Sequence, residues 1–152
     1  MPRVTNKRFL LTNLPFGKEH EEKIYPLIKN VFNNKLEKAD DQYSNFDYLS
    51  DDMVVELKTR RGDYLQKQYA TFPFDAVKFD KWRELKNNNP NLEGYICWLW
   101  VDMGRLHYWK IHENSPESNE IDHFPSRWEV DGKEKEVIEV FREDTEMISL
   151  KK

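Results

Sequence analysis

The segment from Phe46 to Lys58 constrains the chain most. Residues 45–49 and 53–59 read as two short strands joined by Ser50-Asp51-Asp52, because apolar and polar residues alternate on both sides of a polar break. Alternation puts Met53, Val55 and Leu57 on one face of the second strand and Val54, Glu56 and Lys58 on the other. With Asp51-Asp52 as a two-residue loop, Ser50 pairs with Met53, Leu49 with Val54, Tyr48 with Val55 and Asp47 with Glu56. Cross-strand partners share a face with Cβ atoms about 5 Å apart, so Asp47, Glu56 and Lys58 converge on one patch.

That trio suits metal-assisted phosphodiester hydrolysis. Two neighbouring carboxylates can jointly hold Mg²⁺, a hard cation that prefers oxygen ligands and keeps several waters. The ion polarises a phosphate and lowers the pKa of bound water. A lysine beside it orients that water or offsets charge developing on phosphorus. Acid-x-Lys itself is common here: it occurs four times, at Glu21, Glu56, Glu84 and Asp131. Two of these lie on expected helices, where a two-residue spacing splits the side chains between faces, and one lies in a turn. Only Glu56-Leu57-Lys58 sits on an apolar strand with a partner carboxylate. A salt bridge on a solvated sheet face is the competing reading.

Around this hairpin the pattern predicts a helix over 18–36, after a turn at 14–17, with Ile24, Leu27, Ile28, Val31 and Phe32 at three- and four-residue spacing. Pro26 either bends that helix or moves its start to about residue 25. A polar connection follows over 35–44. Residues 65–72 read as a candidate third strand after a turn at Gly62, and 75–87 as a helix with Asp75 as N-cap and a Phe79, Trp82, Leu85 stripe. Residues 94–101 and 106–111 form a strand pair, and 128–130 with 136–141 a second hairpin about Asp131-Gly132. The order predicts a mixed α/β (α+β) fold.

The chain has 152 residues, which fits a single domain over 1–152. Charged residues make up 34%, yet 5 Trp, 7 Tyr and 9 Phe supply bulk for a packed core. The longest apolar run, around Ile96, is too short for a membrane span, and the first residues, with Arg3, Lys7 and Arg8, lack the apolar stretch of a secretory signal. The lone Cys97, in an apolar strand, reads as a structural thiol in the cytoplasm or another reducing compartment. A net charge of −4 argues against non-specific coating of nucleic acid. His20, His107, His112 and His123 are isolated in sequence without cysteine partners, so no zinc site is expected. The odd separation of His107 and His112 sends them to opposite faces. No Gly-rich phosphate loop, nucleophile elbow or dinucleotide fingerprint is present.

On Asp47, Glu56-Leu57-Lys58, the apolar lead-in Met53-Val54-Val55 and the trailing Thr59-Arg60-Arg61, the chain resembles the restriction-endonuclease-like PD-(D/E)xK nucleases. Phe46 stands where that family commonly has proline, and the resemblance spans about residues 17–111. It implies an αβββαβ core, a central mixed sheet flanked by helices, here with an extra C-terminal hairpin. It also implies Mg²⁺, with Mn²⁺ as substitute, held by Asp47, Glu56 and the Leu57 carbonyl, while Lys58 positions the attacking water. Many members add a glutamate from the first helix; Glu21 shares a face with Ile24, Tyr25 and Ile28, whereas Glu22 points to solvent near Lys29. Arg60, Arg61, Lys67 and Lys78 are candidate contacts to DNA phosphates, with plain surface solubility the alternative for each. Gln68-Tyr69 lies where similar nucleases carry a Gln or Tyr beside the site. Small stand-alone relatives look like phage or viral endonucleases, Holliday-junction resolvases or repair nucleases, which would place the protein in a host cell if viral. The C-terminal hairpin would then suit a homodimer contact. The implied activity is metal-dependent endonucleolytic cleavage of DNA; the alternative is an inactive nuclease-fold module binding nucleic acid or protein.

Overall fold

In a computed structural model, which describes residues 18–39, 45–113 and 122–150, the expected hairpin forms about Ser50-Asp51-Asp52. Strand β2 (Tyr48–Leu49) pairs antiparallel with β3 (Met53–Arg60), Tyr48 opposite Val55 and Leu49 opposite Val54, and the Ser50 amide donates to the Met53 carbonyl at 2.9 Å. The first strand is shorter than expected. The ladder stops at Tyr48: the Asp47 amide bonds the Val55 carbonyl, at 3.0 Å, so Asp47 and Glu56 are neighbours without being a ladder pair. The expected turn at 14–17, residues 40–44, Arg3, Lys7, Arg8 and the side chain of His20 lie outside the described residues.

Helix α1 (Lys18–Val31) runs through Pro26 and ends a turn before the expected limit. Asn33 stops it, its side-chain oxygen taking the Lys35 amide at 2.9 Å in place of a helical partner. The expected connection then contains a strand, β1 (Glu37–Lys38), on the outer side of β2. Residues 61–70 do not extend into a third strand. The Asp63 carboxylate takes the amides of Leu65 and Gln66, at 2.8 and 3.1 Å, which winds the chain into a turn. Strand β4 (Thr71–Asp75) leaves for a second sheet. Helix α2 (Ala76–Asn88) carries the chain back to β5 (Glu93–Trp100), which runs parallel to β3 from Met53 opposite Glu93 to Arg60 opposite Trp100. Strand β6 (Arg105–Lys110) returns antiparallel. Strands β7 (His123–Val130) and β8 (Lys133–Phe141) turn at Asp131-Gly132, both at positive φ (53° and 79°), the backbone of a tight two-residue hairpin. Strand β9 (Glu146–Ser149) closes onto β6.

The result is a mixed α+β architecture: a six-stranded sheet ordered β1-β2-β3-β5-β6-β9 and a three-stranded sheet ordered β4-β8-β7. Met53 to Leu57 of β3 and Ile96 to Trp100 of β5 are buried because both faces of these strands are covered there. On one face Met53, Val55, Leu57, Cys97 and Leu99 pack against Ile24, Leu27 and Ile28 of α1. On the other, Val54, Ile96 and Trp98 pack against Phe72, Phe74, Phe79, Trp82 and Ile138. The C-terminal hairpin is thus part of the chain's own core: β8 pairs with β4, Thr71 opposite Phe141. Trp98 is fully buried and its Nε1 donates to the Pro73 carbonyl at 2.8 Å, tying the two sheets together. Cys97 is a buried free thiol, as expected. No helix among the described residues is long and apolar enough to cross a membrane.

Gly94 shows how close this packing is. A Cβ there would lie 2.5 Å from Trp82 Cδ1 and 2.9 Å from Ile111 Cδ1. Gly94→Ala is therefore expected to destabilise the fold by about 1–3 kcal/mol, measured by urea unfolding, because the Trp82 indole and α2 must move.

Candidate functional site

Strand β3 presents Glu56 and Lys58 to the side covered by β4, α2 and β8. This face is not the solvated one that the salt-bridge reading required: Glu56 is 5% exposed. Asp47, leaving β2, turns its carboxylate onto the same strand, where Oδ2 accepts the Leu57 amide at 2.7 Å. One carboxylate oxygen is thereby anchored by the backbone. Leu57 itself points to the α1 side, in the apolar cluster with Val55 and Cys97.

Glu56 is flanked by cations. Lys58 Nζ stands 3.4 Å from Oε2 and Lys78 Nζ 3.4 Å from Oε1. The Lys78 ammonium bonds the Asn45 carbonyl and sits over the Phe46 ring. Its contact with Oε1 lacks hydrogen-bond alignment, which leaves Oε1 a buried oxygen with no donor. Burial pushes the Glu56 carboxyl up, and so do the Asp47 charge and a hydrogen bond shared with Asp47. Lys58 and Lys78 pull it down, and it settles at about 7.

Asp75 was expected as the N-cap of α2. It stands at that position without a capping hydrogen bond. Its carboxylate instead bridges two lysines, with Lys135 Nζ 2.9 Å from Oδ1 and Lys58 Nζ 3.8 Å from Oδ2. Burial pushes Asp75 up, but Lys135, Lys58 and Lys78 together hold it below the usual carboxylate range. This residue and Lys135 are the members of the site that sequence reasoning missed. The pairing of β4 with β8, Asp75 opposite Val137, brings them together; a sequence pattern carries no sign of it.

Glu21 lies on α1, on the face of the sheet where Tyr48 is buried with Ile24 and Val55, opposite the face that carries Glu56. Its backbone carbonyl accepts the Tyr48 hydroxyl at 2.6 Å, and burial, then the Glu21 and Asp47 charges, push that phenol far up. Glu22 is exposed, as expected, and pairs with Lys38 at 3.6 Å. Arg60 is half-buried at the end of β3; burial lowers its guanidinium while Asp75 opposes that. Arg61 and Lys67 are exposed, Lys67 on the turn after Gly62. Gln68 and Tyr69 are exposed too, Tyr69 with its ring 6.4 Å from that of Trp100. In the helical stripe, Phe79 and Trp82 are core and Leu85 is exposed.

Compared with known proteins, the chain matches no family model and no curated protein. The site therefore rests on its own geometry.

The histidines depart from expectation. His107 is buried on β6, 2.6 Å from the Tyr64 hydroxyl and 2.8 Å from Thr145 Oγ1. Burial, with Arg105 and Arg142 nearby, lowers it to about 4, so it is neutral at pH 7. His112 was expected on the opposite face. Strand β6 ends at Lys110, however, and His112 turns back against Trp109 of that strand and His123 of β7. Far from isolated, His112 and His123 share Asp122.

Proposed function

We propose that this chain is a restriction-endonuclease-like, Mg²⁺-dependent nuclease that cleaves DNA internally. The observation that carries the proposal is the buried, donor-free Oε1 of Glu56 beside a second carboxylate and two lysines. A buried carboxylate oxygen without a hydrogen-bond donor is costly, and a divalent cation shared with Asp47 would supply the partner that Lys78, 3.4 Å from Oε1 but out of alignment, does not. The element order supports the same reading: α1, β1, β2, β3, α2 and β5 follow αβββαβ, with β3 parallel to β5 and β4 diverted into the second sheet.

The donor set fits a hard cation, since it offers carboxylate oxygens without sulfur or imidazole. Asp47 and Glu56 would hold it, with the Leu57 carbonyl beside them. Bound there, the ion supplies Lewis acidity toward a phosphodiester and its attacking water. Lys58 holds its ammonium on Glu56 Oε2, where it orients that water and offsets negative charge as the phosphorus becomes pentavalent. Asp75, itself fixed by Lys135, positions Lys58. Arg60, Arg61, Lys67 and Lys78 supply positive charge for flanking phosphates, which the net charge of −4 makes a local rather than a global attraction. Glu21 stays the candidate outer carboxylate from α1, although its contact with Tyr48 is made by the backbone carbonyl and not by the side chain. A second reading has its own support: Lys58, Glu56, Lys78, Asp75 and Lys135 already form a charge-compensated network, as an inactive binding module would retain.

Supercoiled plasmid and single-stranded circular DNA with Mg²⁺, Mn²⁺ or EDTA separate the two. Nicking or linearisation that needs the metal and disappears in Asp47→Asn supports the nuclease. Cleavage indifferent to EDTA, or a folded protein that neither cuts nor binds Mg²⁺, overturns it.

A pH dependence follows from Glu56. Cation binding requires the carboxylate, and the proton leaves only near pH 7. Apparent Mg²⁺ affinity, measured by calorimetry, is therefore expected to fall about tenfold per pH unit below 7 and to level off above it.

A further inference from the structure

His112, Asp122 and His123 form a separate cluster where the end of β6 meets the start of β7. His112 Nε2 lies 2.8 Å from Asp122 Oδ2, and His123 Nδ1 2.6 Å from Oδ1. One donor atom from each residue falls within 4.8 Å of the other two, and all three residues are partly buried. The Trp109 ring lies 5.2 Å from His112 and 4.9 Å from His123, and the imidazoles lie 5.0 Å apart. Trp109 Nε1 donates to Asp122 Oδ2 at 2.9 Å. That bond fixes the carboxylate's orientation and leaves Oδ1 on the side of His123, the way an outer-shell donor orients a ligating carboxylate.

We propose that these three residues bind a Zn²⁺-class transition ion through two imidazole nitrogens and one carboxylate oxygen, with water at the remaining position. Nitrogen donors select such an ion over Mg²⁺, which sets this cluster apart from the all-oxygen pair Asp47 and Glu56. Tetrahedral donors about 2.1 Å from zinc stand about 3.4 Å from one another, so the widest pair here must close by about 1.4 Å. A rotation of the partly exposed His112 side chain supplies a movement of that size.

The placement gives the ion a structural task. His112 follows β6 of the six-stranded sheet, and His123 opens β7 of the three-stranded sheet. Phe79 of α2 backs His123 with ring centres 5.8 Å apart. An ion held by all three residues clamps the two sheets together and closes the connection between His112 and Asp122, which pins the far side of the layered core.

The test is metal binding by the full chain after chelator stripping. Co²⁺ is followed by its visible absorption and Zn²⁺ by calorimetry, with thermal melting alongside. The expected result is one equivalent of Zn²⁺ bound, an intense tetrahedral Co²⁺ spectrum, and a melting temperature that rises with added Zn²⁺. His112→Ala and His123→Ala should each weaken binding by about 100-fold or more and remove the thermal shift, whereas Glu56→Gln should leave both intact. Circular dichroism confirms that each variant is folded, and Asp122→Asn gives a near-isosteric check should an alanine variant fail to fold. Absence of binding by the folded wild-type chain overturns the proposal. So does binding that survives both histidine substitutions, or binding that disappears in Glu56→Gln.

Discussion

Lys58→Ala is expected to slow DNA cleavage by about 10²–10³-fold while the protein stays folded, the loss usual for one charged group that stabilises a transition state. The local geometry explains why the fold should tolerate it. Glu56 keeps Lys78 at 3.4 Å and Asp75 keeps Lys135 at 2.9 Å, so neither acid loses its last cation. Lys58 also pulls the Glu56 carboxyl down, so its removal raises that pKa further and weakens Mg²⁺ binding near neutrality. Rates should therefore be compared at pH 8 and saturating Mg²⁺, where Glu56 is ionised in both proteins. Lys58→Arg should recover only part of the rate, since a planar fork cannot replace a compact ammonium at the same point. Unfolding of Lys58→Ala would show that the lysine serves the network and not the reaction.

Glu56→Gln is expected to abolish cleavage and to stabilise the protein at the same time. A carboxyl at about 7 in the folded chain and near 4.5 when unfolded means that the folded state retains the extra proton between those values. Stability accordingly falls as pH rises from about 4.5 to 7 and then levels off, and the ionised Glu56 costs about 3 kcal/mol above that range. Glutamine resembles the protonated form and removes the cost. Urea unfolding should show Glu56→Gln more stable by about 2–3 kcal/mol at pH 8 and nearly equal to wild type at pH 4. Mg²⁺ at pH 8 should narrow the gap by stabilising only the wild type. A variant equally destabilised at both pH values would refute the burial argument.

How much of this was legible in the sequence depends on how local the cause was. The register of Tyr48 with Val55 and the two faces of β3 follow from alternation and a tight loop, both contained in a dozen residues. Helix α2 and the pairing of β5 with β6 followed from equally local signals. What stayed hidden arises from distant pairing. Residues 65–72 read as a candidate third strand and Asp75 as the start of a helix, with nothing to say that Thr71 to Asp75 would form a strand and meet β8. Asp75 could thus be read only as a cap, and Lys135 not as part of any site. Asp47 was placed correctly near Glu56, but its departure from the ladder after Tyr48, with the side chain bonding the Leu57 amide, is a backbone event that alternation cannot express. His112, Asp122 and His123 were invisible for the same reason. Their spacing has no metal-binding signature, and His112 meets the adjacent Asp122 and His123 only because the two sheets meet.

The layered pairing also bears on when the molecule becomes competent. Strand β4 waits for β8 as its partner, and the edge of β6 away from β5 waits for β9. Both late strands lie within residues 133–149, whereas Asp47, Glu56 and Lys58 are encoded far upstream. During synthesis, the early hairpin can form while the face bearing Glu56 still lacks its cover and Asp75 still lacks Lys135. Contacts so far apart in sequence form slowly, because the intervening chain must be closed first. A nascent chain would therefore carry Glu56 in water, and burial would raise its carboxyl only on closure of the second sheet.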